Sequence, residues 1–212
     1  MPRPLTVFDL DGVITSRDTM ADLCGGLLRR RPSRLFLAVG LLVRRRFANS
    51  EQAVQRCDAA LVALALRGMT LDDYESAAER TVRRFVSEPD LLRPSLIEAL
   101  QRSVVGGPVV VATASEVTLA RRLLEELGVG DVEVIGSELA VTPRGLRFRR
   151  HNVGERKLAS LLDRRLPLGE ATFYTDSTSD LPVATACGHT VYVGGDQRAF
   201  THFVKASWWA GD

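Results

Sequence analysis

Two aspartates one residue apart, Asp9 and Asp11, close an apolar run and meet Gly12 in Thr6-Val7-Phe8-Asp9-Leu10-Asp11-Gly12. If Leu5 to Phe8 is a strand, side-chain alternation puts both carboxylates on the same side. Two acids at the end of a buried strand repel each other and are costly unless a cation offsets their charge. A divalent metal would do so; a solvated turn is the other reading of the same residues. Gly12 lets the backbone turn where a Cβ would be strained. Further chemistry-bearing residues follow other apolar runs. Thr113-Ala114-Ser115 succeeds Val109-Val110-Val111-Ala112, and Asp176-Ser177-Thr178-Ser179-Asp180 succeeds Ala171-Thr172-Phe173-Tyr174-Thr175. Lys157 opens the helix before that last strand and is, with Lys205, one of only two lysines in an arginine-rich chain. Singly, Thr113 or Ser115 could cap a helix, Lys157 could be a solvated charge, and 176–180 could be a polar loop. Together they bring acids, hydroxyls, helix N-termini and one lysine to a single sheet edge.

The elements that must position these groups are legible in the apolar pattern. The runs at 109–112, 132–135, 171–175 and 190–193 read as short buried strands separated by amphipathic helices, which implies a doubly wound, mostly parallel α/β sheet. Ligands of such sheets bind beyond the carboxyl ends of the strands. Residues 137–149, with Pro143 and Gly145 at the centre, read as a hairpin. Between residues 19 and 87 strand-like alternation is absent, and apolar residues recur every three or four positions. Four helices are expected there, near 19–31, 33–47, 50–67 and 70–87, as a separate helical module. Residues 91–103 read as a helix, and the tail, 196–208, as one that docks through Phe200, Phe203, Trp208 and Trp209.

Composition narrows the function classes. A chain of 212 residues with 45% hydrophobic and 25% charged residues has the material for a sizeable core. A formal net charge of +2 gives no case for nucleic acid. Cys24, Cys57 and Cys187 are an odd, widely spaced set and read as reduced, part-buried thiols of a cytoplasmic protein. The histidines 151, 189 and 202 have no metal-ligand spacing. No leader is expected, since Met1-Pro2-Arg3-Pro4 runs straight into the first strand. The longest apolar run, 35–43, is about half of the roughly 20 residues that span a bilayer.

The four groups in this order resemble the haloacid dehalogenase superfamily of phosphohydrolases over nearly the full chain. The resemblance rests on Asp9-Leu10-Asp11-Gly12-Val13, the strand ending at Thr113, Gly154-Glu155-Arg156-Lys157, and Tyr174-Thr175-Asp176-Ser177-Thr178-Ser179-Asp180-Leu181-Pro182. Within it, the helical insert resembles the phosphoserine-phosphatase-like branch, subfamily IB. The resemblance implies a Rossmann-like core of residues 1–18 and 88–212, with a helical-bundle C1-type cap, 19–87, inserted after the first strand. It implies a Mg²⁺-dependent phosphatase working through an aspartyl-phosphate. Asp9 is then the nucleophile and Asp11 the general acid and base. Asp9, Asp176 and the carbonyl of Asp11 are metal ligands, and Asp180 orients the metal shell. Thr113, Ala114 and Lys157 hold the phosphoryl group. Asp18 stands where the family's phosphoserine phosphatases place a substrate-binding glutamate. Dehalogenating members lack an acid at the position of Asp11, so phosphoryl chemistry is expected. A phosphotransferase and a non-catalytic binding protein on the same fold are the competing readings.

The insert should set the substrate, a small or lipid-linked phosphorylated metabolite. Arg29-Arg30-Arg31 and Arg34 precede the apolar run 35–43, and Arg44-Arg45-Arg46 follow it. Two readings stand: a peripheral contact of residues 29–46 with an anionic membrane, or a core helix of the cap with arginines snorkelling at its ends.

Overall fold

The computed structural model describes residues 3–211. The first strand, β1 (Thr6–Phe8), is buried on both faces: Val7 and Phe8, which point to opposite sides, are both fully buried. It lies at the centre of a seven-stranded sheet with β2 (Val109–Glu116) on one side and β5 (Thr172–Thr175) on the other, both parallel to it. Beyond β2 come β3 (Glu133–Thr142) and the antiparallel β4 (Gly145–Arg150); beyond β5 come β6 (His189–Tyr192) and β7 (Ala206–Trp208). The strand order therefore reverses at β1, and the crevice where ligands bind in such sheets opens over its carboxyl end.

Both faces of the sheet are covered, as the continuous apolar strands require. Val7, Val110 and Phe173 pack with Leu161 of α7 (Glu155–Asp163) and Val183 of α8 (Leu181–Ala186). On the other face Phe8 and Val111 share one apolar cluster with α5 (Pro94–Gly106), α6 (Val117–Glu126) and four helices that intervene between β1 and α5. These are α1 (Thr19–Arg29), α2 (Pro32–Arg46), α3 (Glu51–Ala65) and α4 (Leu71–Ser87). Each of three starts on a side-chain cap: Asp18 accepts from Ala21 N for α1, Ser50 from Ala53 N for α3, and Thr70 with Asp73 forms a reciprocal capping box for α4. The turn after α3 docks on the β3–β4 hairpin, where Gly68 N donates to Arg144 O at 2.8 Å. Gly145 has φ +109, and a Cβ there would stand 2.3 Å from Gly68 N, so only glycine permits this approach.

Several expectations change. The tail is not one helix: α9 covers only Gln197–Phe200, Lys205 turns the chain at φ 57, and β7 adds a parallel strand to β6. The expected aromatics do dock, with Phe200, Phe203 and Trp208 around Tyr192 and Trp209 edge-on to Tyr174. The strand at 109–112 runs on to Glu116, and the strand at 132–135 and the first arm of the hairpin are one continuous β3. The helix expected from residue 91 starts at Pro94, after a single 3₁₀ turn at Pro89–Leu91. All three cysteines are free and buried. The core-helix reading of 35–43 fails: α2 buries only Ala38, while Phe36 is 82% exposed and Phe47, just beyond its end, 75%. Among the described residues no helix is long and apolar enough to cross a membrane.

Candidate active site

The loop after β1 is wound tightly on one acceptor. Leu10 O receives hydrogen bonds from Val13, Ile14 and Thr15 N–H at 2.8–3.3 Å. This winding turns Asp9 and Asp11 into different surroundings. Asp9 is buried and accepts from Leu10 N at 2.8 Å, and Lys157 Nζ lies 3.1 Å from its Oδ2. The same ammonium lies 2.8 and 3.0 Å from the two oxygens of Asp180, and Thr175 Oγ1 donates to Asp180 at 2.9 Å. Asp9, Lys157 and Asp180 thus form a buried triad that reaches solvent only at Asp9, and in it the visible task of Asp180 is to hold the lysine.

The charges in this triad do not balance. Burial pushes the Asp9 carboxyl well above the usual carboxylate range; Lys157 opposes that, while Asp180 and Asp176 add to it. Burial alone would lower the Lys157 ammonium, but Asp180 and Asp9 outweigh it and hold it protonated. Asp176 is pushed up to about 6 by burial and by Asp180, against Lys157. Its carboxylate occupies the space above Gly12, whose φ is +77; a Cβ there would stand 1.9 Å from Asp176 Oδ2. The glycine after the paired acids therefore does two things: it turns the chain and makes room for the third acid.

Asp11 sits in a polar niche instead. Its Oδ1 accepts from Thr19 N at 2.7 Å, and its Oδ2 from Ser115 Oγ at 2.6 Å and from Thr113 Oγ1 at 3.3 Å. Thr113 is fully buried and also accepts from Ser115 N, so the hydroxyl nearest Asp11 is that of Ser115. Thr19 and Ser115 share a further hydroxyl contact at 2.8 Å, which fastens α1 to the end of β2. Ala114 lines the open space in front of these groups, with Asp18, Ser115, Ser177 and Ser179. Asp18, the cap of α1, keeps solvent contact through that space, yet withdrawal from bulk water and the charges of Asp11 and Asp58 push it up to about 7.

Two positioning residues carry no motif that sequence reasoning used. Asn152 is fully buried and donates from Nδ2 to both Thr113 O and Ile135 O at 3.0 Å, clamping β2 to β3. Glu116, also buried, caps α6 through Thr118 and Leu119 N–H and receives the Tyr74 hydroxyl of α4 at 2.8 Å. An asparagine and a glutamate near strand ends are too common to single out; only the tertiary arrangement gives them a task.

A doubly wound sheet with paired acids after its central strand, and a lysine and further acids on flanking elements, defines a class of α/β hydrolases. The match is specific: the family model for haloacid dehalogenase-like hydrolases spans residues 6–185, and the chain belongs to that family. A comparison with curated protein sequences finds no match. Among solved structures, a Bordetella pertussis Tohama I protein of unknown function is 20% identical with a TM-score of 0.76, over 95% of this chain and 94% of that one. A phosphoserine phosphohydrolase-like protein from Francisella tularensis is 12% identical, with a TM-score of 0.67 over 97% and 94%. A substrate-bound phosphoserine phosphatase is 14% identical, with a TM-score of 0.60 over 97% and 93%. At these identities the likeness establishes the shared fold.

Proposed function

We propose that the protein is a phosphatase that hydrolyses phosphate monoesters through an aspartyl-phosphate on Asp9. The observation that carries this reading is the division of the paired acids. Asp9 is desolvated and held by Lys157, whereas Asp11, two residues on, is held separately by Thr19 N and Ser115 Oγ. In this reading Asp9 is the nucleophile and Asp11 the proton carrier. An oxygen of Asp9 bonds to phosphorus as the ester P–O bond breaks, and Asp11 gives its proton to the leaving alkoxide. Water then attacks the phosphorus, Asp11 takes its proton, and inorganic phosphate leaves with Asp9 restored. Lys157 offsets charge on Asp9 and on the phosphoryl oxygens. Thr113 and Ala114 contact the phosphoryl group, the first N–H groups of α6 being taken by the Glu116 cap, and Asp180 keeps the lysine in place.

The donor set fits Mg²⁺. Asp9 and Asp176, whose charge one lysine does not balance, would hold the ion, with the Asp11 carbonyl as a third oxygen donor. Among the described residues no three His, Cys, Asp or Glu side chains form a cage by themselves. Mg²⁺ takes one or two protein carboxylates and fills its remaining positions with water and phosphate oxygens. When bound, the ion offsets the negative charge of the carboxylates and the substrate.

We further propose a small or lipid-linked substrate and a peripheral contact of residues 29–46 with anionic membranes from the cytoplasmic side. Exposed Phe36, Val39, Val43 and Phe47 beside Arg44, Arg45 and Arg46 support it. Release of free phosphate from p-nitrophenyl phosphate with Mg²⁺, abolished by chelation, is the test. Ester consumed without free phosphate when an alcohol acceptor is present would favour phosphotransfer. No turnover of any ester in a screen of phosphorylated metabolites would leave a binding protein. Flotation with vesicles containing anionic lipid tests the membrane contact, and no binding would remove it.

A further inference from the structure

A cavity of about 810 Å³ opens from the strand ends into the insert. Its lining reaches the strand ends through Ala114 and Ser115 after β2 and Ser177 and Ser179 after β5, next in sequence to Thr113 and Asp176, with Asp18 at the start of α1. On α1, α2 and α3 it is lined by Leu28, Leu35, Ala38, Leu42, Leu61 and Val62. From α2 the contributors are Leu35, Ala38, Leu42 and Arg45, a spacing that places them along one face of the helix. The lining also has polar members: Arg45, which pairs with Asp58 across α2 and α3, Gln55, and His151, whose imidazole is stacked on Phe148 at 4.7 Å.

This volume lies in the range of sites for drug-sized ligands, about 300–1,000 Å³. An ester as small as phosphoserine would leave most of the leucine-lined part filled with water, where each apolar group contributes nothing to binding. Resting on the phosphatase reading above, we propose that the cavity is the seat of an apolar chain, so that the substrate is an amphiphilic phosphate monoester with its head at Asp9 and its chain between α1, α2 and α3. The helix that walls the chain is the same one that turns Phe36, Val39 and Val43 outward. That helix is tied by Arg31 and Arg34 to Arg67 O at one end and by Arg45 to Asp58 at the other. Such an ester can arrive free in water or from a bilayer surface, and the chemistry of the seat is the same for both.

The test is kcat/KM for ethyl, butyl, hexyl and octyl phosphate with Mg²⁺, together with calorimetric binding of ethylphosphonate and octylphosphonate, which are not hydrolysed. The expected result is a rise of roughly threefold per added methylene, the same ranking of the phosphonates, and L-phosphoserine no better than ethyl phosphate. Ala38→Phe and, separately, Leu61→Phe fill the seat and should collapse the octyl-to-ethyl ratio at least about tenfold. The second variant guards against the first failing to fold. Dodecyl phosphate presented in phosphatidylcholine vesicles identifies the source: turnover there assigns delivery from a bilayer, and turnover only of dispersed octyl phosphate assigns a free amphiphile. Turnover that is flat with chain length, with phosphonates bound alike, overturns the proposal and leaves the phosphatase. Octylphosphonate bound more tightly than ethylphosphonate with no ester hydrolysed sinks the phosphatase reading and leaves the seat.

Discussion

The strand ends and the insert solve opposite problems within one molecule. At the strand ends charge is packed out of water and each group is held by named partners: Lys157 between Asp9 and Asp180, Asp11 by Thr19 and Ser115, and the strands beneath them by Asn152. In the insert the apolar residues of α2 face outward and into a cavity, and only Ala38 is fully buried. Chemistry on phosphorus needs fixed geometry, because a small displacement of a reacting group is costly in rate. The proposed seat for a substrate chain needs room instead, and α2, held at its ends, borders the cavity. Substitutions in the two regions should therefore fail in different ways.

The largest effect on folding should come from Lys157→Met. It leaves Asp9 and Asp180 buried with no counter-charge, and such a broken pair costs about 3–5 kcal/mol. Urea denaturation measures it; a loss below about 1 kcal/mol would mean that the triad is not the closed unit described. Gly12→Ala should separate rate from stability. The new methyl displaces the Asp176 carboxylate and strains the backbone at φ +77. Turnover should fall roughly a hundredfold while stability falls by about 1–3 kcal/mol.

Asp18→Asn tests the border between the two regions. Asparagine keeps the cap of α1. The Asp18 carboxyl is raised in the folded protein to about 7, from an ordinary value near 3.8. Its contribution to stability is therefore complete below pH about 4 and is lost as pH rises towards 7. The variant should flatten that slope and raise the Tm at pH 8 by less than about 2 °C, since solvent contact screens the charge. Melting curves from pH 4 to 8 check it. The smallest effect on stability belongs to Phe36→Ser, which should lie within about 0.5 kcal/mol of wild type while weakening flotation with anionic vesicles. A large destabilisation there would mean that Phe36 packs against something and that α2 is not a free surface.

The sequence made the strand ends readable because parallel strands buried on both faces are continuous apolar runs, and the chemistry stands where they stop. Lys157 was conspicuous because lysine is rare in this chain. The length of β2 and β3 was not readable. Thr113-Ala114-Ser115 has the composition of a turn, and Gly136 looks like a break between strands. In the fold Gly136 lies inside β3, and it is glycine because a Cβ there would stand 2.9 Å from Ser115 O. β7 was equally hidden: Ala206–Trp208 has three residues, and its strand character comes from pairing with Thr190–Tyr192. For α2 the helix was legible but its surroundings were not. An apolar run with flanking arginines has the same pattern whether it is buried in a bundle or walls a cavity from outside, and only the placement of α1 and α3 decides.

The most direct test of the account is to quench the enzyme with acid during turnover of p-nitrophenyl phosphate and Mg²⁺, digest it, and locate any phosphoryl adduct by mass spectrometry. The account predicts an acyl phosphate on Asp9, and neither adduct nor turnover in Asp9→Ala. Undiminished phosphate release by Asp9→Ala, or an adduct on another residue, would contradict it.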